Sequence, residues 1–328
     1  MIKRARRPWS DRRAERMLGA ASLLVAACVL AMIVFVAVAA WPMLHREGLS
    51  WLGSGGNVDS QLGNMATAGP HATASLYHLR AWPLIYGTLL TTGVAVALAL
   101  ALALLSSIFI VEFAPPRLRA ITIPVIRLLA SVPSVVYGLI GILVLVPFVG
   151  NHLITASEKT SVQNVVQLTG AGFGVAAVVL ALMITPIMVA LITDALSTVP
   201  RSWREGAAAL GLNPLRATLA VNVRAIRPAI VAATVLSTAR ALGEAVMIFM
   251  VAGSVAFAPK PADGLVFLFE PVKTLASEIV EQRENLGSPV LHAAVYSFAL
   301  LLLFSAFTLS LSGFLVKLPL RKYQAVRA

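Results

Sequence analysis

Six uninterrupted apolar stretches, at 17–44, 82–111, 128–151, 171–193, 228–257 and 290–316, dominate this chain. Each is long enough for the roughly 20 residues that an α-helix needs to cross a hydrocarbon core. The runs are continuously apolar rather than alternating and far exceed the length of a barrel strand, so helices are the spanning structure they predict. The expected fold class is an all-α integral membrane protein with about six transmembrane helices. Composition agrees: 59% of the 328 residues are hydrophobic and 12% charged, with a mean hydropathy of +0.86. Soluble domains carry about 25% charged residues, so a soluble fold is excluded and no extra soluble domain fits in what remains.

Direction follows from Lys and Arg. With the N-terminus in the cytoplasm, the inner segments are 1–16, 114–120, 198–227 and 317–328, and they hold 18 of the 26 basic residues. The outer segments contribute only Arg46, Arg80, Lys159, Lys260, Lys273 and Arg283, while Arg127 and Arg240 belong to the edge or interior of spans. The positive-inside rule therefore predicts that both termini are cytoplasmic. The chain divides into a basic N-terminus (1–16), a first transmembrane helix (17–44), an outer loop (45–80), a five-helix core (81–316) that includes the inner loop 198–227, and a tail (317–328). The net charge of +12 is explained by this topology. Nucleic acid is not an expected partner, because the basic residues alternate with spans instead of gathering on one face. The first apolar run also exceeds the 7–15 residues of a signal-peptide core, so a retained anchor helix is expected.

The outer loop 45–80 is rich in Gly, Ser and His and predicts an extended connection with one short helix. Its histidines, His71 and His78, are expected to be solvated, since a metal site needs more ligands at closer spacing. Cys28 is the only cysteine and lies inside the first span, so neither a disulfide nor a cysteine metal site is available. No cofactor is called for.

In the loop 198–227, Pro200 precedes Ser202-Trp203-Arg204-Glu205, a capping-box pattern in which Ser202 caps a helix and Glu205 reaches back. Gly211 supplies a C-terminal stop and Asn213-Pro214 starts a second short element. A short capped helix held between spans suits projection into a partner's groove. A basic loop that merely fixes topology would also account for the composition.

Within the fifth apolar run, Arg240 and Glu244 are the only charged residues. A charge at the bilayer centre costs at least about 2.5–3.5 kcal/mol, so such residues face a polar cavity or a partner. Their spacing of four puts them one turn apart on one helical face, able to pair; Ser237 lies on the same stripe, and Gly243 between them allows close approach. An ion pair that locks two helices together is one reading. The other is a substrate path, because arginine's planar fork gives two hydrogen bonds to a tetrahedral oxyanion and keeps its charge when buried. Pro133, in the third run, is expected to kink that helix. Ser134 and Tyr137 beside it are candidates to line a pore, and packing accounts for them equally well.

The run Glu205-Gly206-Ala207-Ala208-Ala209-Leu210-Gly211 resembles the EAA loop of ABC importer permeases, with Gly206 where that family usually has Ala. Arg240-Ala241-Leu242-Gly243-Glu244 resembles the Arg-Ala-Ile-Gly-Glu run of phosphate importer permeases. Three further runs, Trp82 to Leu89, Glu112 to Arg119 and Ser131 to Gly138, are similar to the phosphate permease of the PstC type. That resemblance implies a type I ABC importer permease fold in a bacterial inner membrane, with 45–80 in the periplasm. It implies a loop that docks on the ATPase through Glu205, Gly206, Ala207 and Gly211, and a phosphate path through Arg240, Glu244 and Ser237. It also implies a second permease of PstA type, two copies of a PstB-type ATPase and a periplasmic phosphate-binding protein of PstS type, with membrane lipid as surroundings and inorganic phosphate as cargo. The chain has no Gly-x-x-x-x-Gly-Lys-Ser/Thr run, so it is expected to be a transport subunit whose partner hydrolyses ATP. A permease for sulfate or molybdate and a membrane-anchored scaffold remain as alternatives.

Overall fold

The computed structural model describes residues 9–68, 74–161 and 166–321. The segments 1–8 and 322–328 of the expected cytoplasmic ends, and His71, lie outside them. The α-helices in chain order are α1 (Trp9–Glu47), α2 (Val58–Ala66), α3 (Trp82–Ile108), α4 (Pro116–Ala130), α5 (Ser134–Ile140), α6 (Val146–Phe148), α7 (Ala156–Ser161) and α8 (Phe173–Ser197). They continue with α9 (Arg201–Ala209), α10 (Pro214–Ala217), α11 (Val223–Ala225), α12 (Arg227–Leu242), α13 (Val246–Val251), α14 (Leu275–Glu281) and α15 (Pro289–Arg321). Among the described residues, five helical stretches are long and apolar enough to cross a membrane: Ala14–Glu47, Trp82–Phe113, Ser134–Leu153, Phe173–Ser197 and Pro289–Val316. A sixth is reached if Pro214–Ala225 and Arg227–Leu242, bent by 69° where they meet, count as one span. The all-α, multi-pass architecture matches the expectation.

Two spans differ from it. The third begins at Ser134 rather than 128, because α4 ends at Ala130 and Pro133, with φ −59° and ψ 140°, holds the chain extended between the two helices. Pro133 therefore separates helices instead of kinking one, as its lack of an N–H and its effect on the residue before it favour. Farther along, this span loosens into the π-helical turns Gly141–Leu145 and Val149–Leu153, the second closed by an Ile154 amide bond to the Val149 carbonyl at 3.1 Å. The fifth run is not one helix at all: α12 stops at Leu242 and α13 restarts at Val246.

Helix α8 is the centre of the molecule. Ala95, Ala99 and Ala103 make a small-residue stripe on α3, while Ala176, Ala177, Leu180 and Ile184 are buried on α8. Spacing by four sets the alanines on one face, and small residues let helices approach closely where lipid gives no hydrophobic drive. α12 and α4 pack on other faces of α8. Helix α1 lies against α15 and exposes most of its surface, Cys28 included.

The described residues of the segment 45–80 hold more helical structure than the expected extended loop. It contains α2 and two short 3-10 turns, and Trp51, Val58, Leu62 and Met65 are buried with Met43, Leu84, Val290 and Phe298. Each such side chain contributes about 1.5–3 kcal/mol when removed from water, and together they hold the described residues of this segment as a cap over the ends of α1, α3 and α15. Arg80 pairs with Glu47 at 2.8 Å, and Arg46 sits over the Tyr77 ring at 4.1 Å. His78 is half exposed, with its Nδ1 3.8 Å from Glu47 Oε1.

Candidate functional site: the broken fifth span and the 198–227 loop

The break between α12 and α13 has a local cause. Gly243, with φ −85° and ψ 0°, ends α12. Glu244 then turns its carboxylate onto the next helix, accepting from the Met247 amide at 3.2 Å. Glycine is a weak helix former, and a carboxylate on a free N-terminal amide stabilises a new start. At about 1.5 Å per residue, the 16 residues of α12 rise roughly 24 Å, short of a hydrocarbon core of about 30 Å. Non-helical backbone at that depth is tolerated where it is buried in protein or lines a wet cavity. Glycines on the third span bring α13 close: a Cβ on Gly138 would lie 2.8 Å from Met250 Sδ, and one on Gly141 would lie 2.6 Å from Val251 Cγ1.

The predicted residues are distributed unevenly around this break. Arg240, in the last turn of α12, is exposed and makes no ion pair among the described residues. Glu244 is buried at 8% exposure and spends its carboxylate on the α13 cap. The expected Arg240–Glu244 pair on one helical face is therefore absent, because the helix that would align them ends between them. Ser237 is 1% exposed and points into packing, its hydroxyl without a hydrogen-bond partner among the described residues. Tyr137, half-buried on α5, lies within electrostatic reach of Arg240 and donates to the Leu129 carbonyl at 3.2 Å across the Pro133 joint. Ser134 is half-buried at the start of α5. Gly243 meets only its own helix's carbonyls, at 3.8 Å, so its open side faces away from packing.

In the loop 198–227, α9 begins at Arg201 with Pro200 as its cap and no side-chain cap bond. The expected Ser202 capping box does not form, because Pro200, extended at φ −59° and ψ 138°, is itself the N-cap and leaves Ser202 inside the first turn. The end is as expected. Gly211, at φ +78°, donates to Ala208, and Leu212 donates to Ala207 at 3.2 Å, the paired pattern of a glycine-terminated helix. Asn213 caps α10 by accepting from Arg216 at 2.8 Å. Glu205 and Gly206 are exposed and Ala207 is buried, while Trp203, Leu210 and Leu215 project apolar surface outward. Sequence reasoning missed one bond here. Asn222, 1% exposed in a π-helical turn, donates to Glu112 Oε1 at 3.0 Å and so ties the loop to the π-helical turn Phe109–Phe113 that continues α3. Glu112 stood in one of the quoted runs, but nothing in spacing paired it with a residue 110 positions away. Among the described residues no group of three His, Cys, Asp or Glu is placed to hold a metal.

The break therefore leaves an exposed arginine at the end of α12, and the 198–227 loop presents a glycine-terminated helix. The family model "Binding-protein-dependent transport system inner membrane component" matches residues 99–318. A Pasteurella multocida "Phosphate transport system permease protein PstC" is 31% identical over 71% of this chain and 73% of its own length. The Bacillus subtilis "Probable ABC transporter permease protein YqgH" is 36% identical over 54% of each chain, so this chain spans just over half the length of that relative. A solved structure, of a bacterial ABC transporter involved in the import of the acidic polysaccharide alginate, superposes over 92% of this chain and 98% of its own. Its TM-score of 0.54 at 13% identity speaks for the fold. The chain belongs to the family of binding-protein-dependent transport inner membrane components, the ABC importer permeases, among its PstC-type members.

Proposed function

We propose that this chain is one half of the pore of an ATP-driven importer of inorganic phosphate in a bacterial inner membrane, with both termini in the cytoplasm. The observation that carries the reading is Arg240: a permanent cation at the end of α12, exposed and free of an ion pair among the described residues, next to a helix break. Its fork can take two oxygens of a tetrahedral anion, and Tyr137 stands within its field. The similarity to PstC-type permeases supports phosphate over sulfate or molybdate.

The second wall of the path would come from a PstA-type permease, delivery from a PstS-type binding protein, and energy from two PstB-type ATPases. The exposed apolar residues of α9 and its surroundings, Trp203, Leu210 and Leu215, support docking of the 198–227 loop on such an ATPase. The test is uptake of radiolabelled phosphate into proteoliposomes that hold the four-protein complex. ATP-dependent uptake that excess sulfate leaves unchanged is the expected result; uptake that sulfate or molybdate abolishes contradicts the assignment.

A further inference from the structure

The outer cap is fastened to the broken span by a buried ionic joint. Lys273, its side chain 3% exposed, reaches Asp59 at 2.7 Å, Glu278 at 3.0 Å and Glu281 at 3.1 Å. Asp59 belongs to α2 of the cap, and its second oxygen accepts from the Ala256 amide at 3.0 Å. One carboxylate thus holds both ends of the loop between α13 and α14. The joint continues inward through backbone bonds. Val272, beside Lys273, donates to the Ala252 carbonyl at 2.8 Å, and the Val251 carbonyl at the end of α13 accepts from Gly172 at 3.1 Å. From the cap to α13 there is therefore an unbroken chain of bonds, and the far end of α13 carries the Glu244 break.

We propose that Asp59 is a positioning residue that passes load on the outer cap to α13, so that docking of the substrate-delivering protein on the cap changes the geometry of the break at Gly243 to Ala245. This rests on the importer reading above. Asp59 suits the role because it is the partner of Lys273 that belongs to the cap and is more exposed, at 38%, than Glu278 and Glu281 on α14. Removing its charge leaves Lys273 paired with Glu278 and Glu281, so the core of the joint persists while its link to the cap is cut.

Asp59→Asn and Asp59→Glu are compared with wild type in the reconstituted complex, with basal ATPase activity and its stimulation by phosphate-loaded binding protein as readouts. Asp59→Asn should keep basal activity and assembly and lose at least about fivefold of the stimulation, the low end of usual coupling between sites. Asp59→Glu should recover it. Unchanged stimulation, or basal and stimulated rates falling in proportion, overturns the proposal. A second readout is independent of the cargo: amide exchange of 246–256 in the purified complex should quicken in Asp59→Asn while that of α8 stays constant. Equal exchange also overturns it, whether or not phosphate is the substrate.

Discussion

Substituting Gly87 tests how tightly α3 is bound to the segment that carries Lys273. A Cβ there would fall 2.6 Å from Val272 Cγ2 and well inside contact distance of the Lys273 carbonyl oxygen. That carbonyl has little freedom, since the Lys273 ammonium is held by three carboxylates and the Leu275 amide donates to Thr88 Oγ1 at 2.9 Å. Relief requires α3 to move away from 272–275, which stretches the Thr88 bond. Overpacking costs about 1–3 kcal/mol and a weakened buried hydrogen bond about 1 kcal/mol. Gly93→Ala, on the same helix, meets nothing within 4 Å and is the control. Both variants share the helix-propensity gain of about 0.5–1 kcal/mol, so their difference isolates the clash at about 2–4 kcal/mol. Denaturant unfolding of the two purified proteins in the same detergent measures it. Equal stability of Gly87→Ala and Gly93→Ala would refute the packing reasoning.

Three further outcomes follow from the same geometry. Lys273→Met should destabilise by about 3–5 kcal/mol in that unfolding assay, because Glu278, at 0% exposure, is left without a counter-charge; a loss comparable to that of Asp59→Asn would contradict this. For Lys273 itself, burial pulls the pKa down but Glu278 and Asp59 raise it overall, so its contribution is complete below the ordinary 10.5 and fades only as pH climbs above that. Burial pushes the Glu278 carboxyl above its ordinary 4.5 against the pull of Lys273, so the folded chain holds that proton more tightly than the unfolded one. The resulting stabilisation is complete below pH 4.5 and is lost as pH rises through the raised value, so wild type should lose stability relative to Glu278→Gln over that range; a constant difference would contradict it. Gly211→Ala places a side chain at φ +78° with no steric neighbour, a pure backbone cost of about 1–2 kcal/mol that should appear as faster exchange of the Leu212 amide bonded to Ala207.

The long spans were legible because apolar length alone predicts a crossing helix, and 17–44, 82–111, 171–193 and 290–316 all fall within or nearly coincide with observed helices. The break in the fifth run was not. At the break, Gly243 and Glu244 give only a weak signal, and only the bond that the Met247 amide donates to Glu244 shows that the carboxylate faces along the chain rather than back toward Arg240. The same holds for Pro133, where the sequence signals a defect in a helix but not whether the chain kinks or stops. In the cap, Gly, Ser and His hid a core formed with helices distant in sequence, Met65 bonding through its carbonyl to Ser288, 223 residues on. Lys273 read as one more outer lysine, since its partners at 59, 278 and 281 share no periodic spacing with it. Gly211 and Asn213, by contrast, act through their own neighbours, and local signals were sufficient to place both.

The central claim is that the anion passes Arg240, and it is tested most directly by phosphate uptake in proteoliposomes carrying the complex with Arg240→Gln, normalised to assembled complex. The account predicts near-complete loss of uptake with assembly intact and basal ATP hydrolysis retained. Uptake at the wild-type rate would contradict it and leave Arg240 as a structural residue.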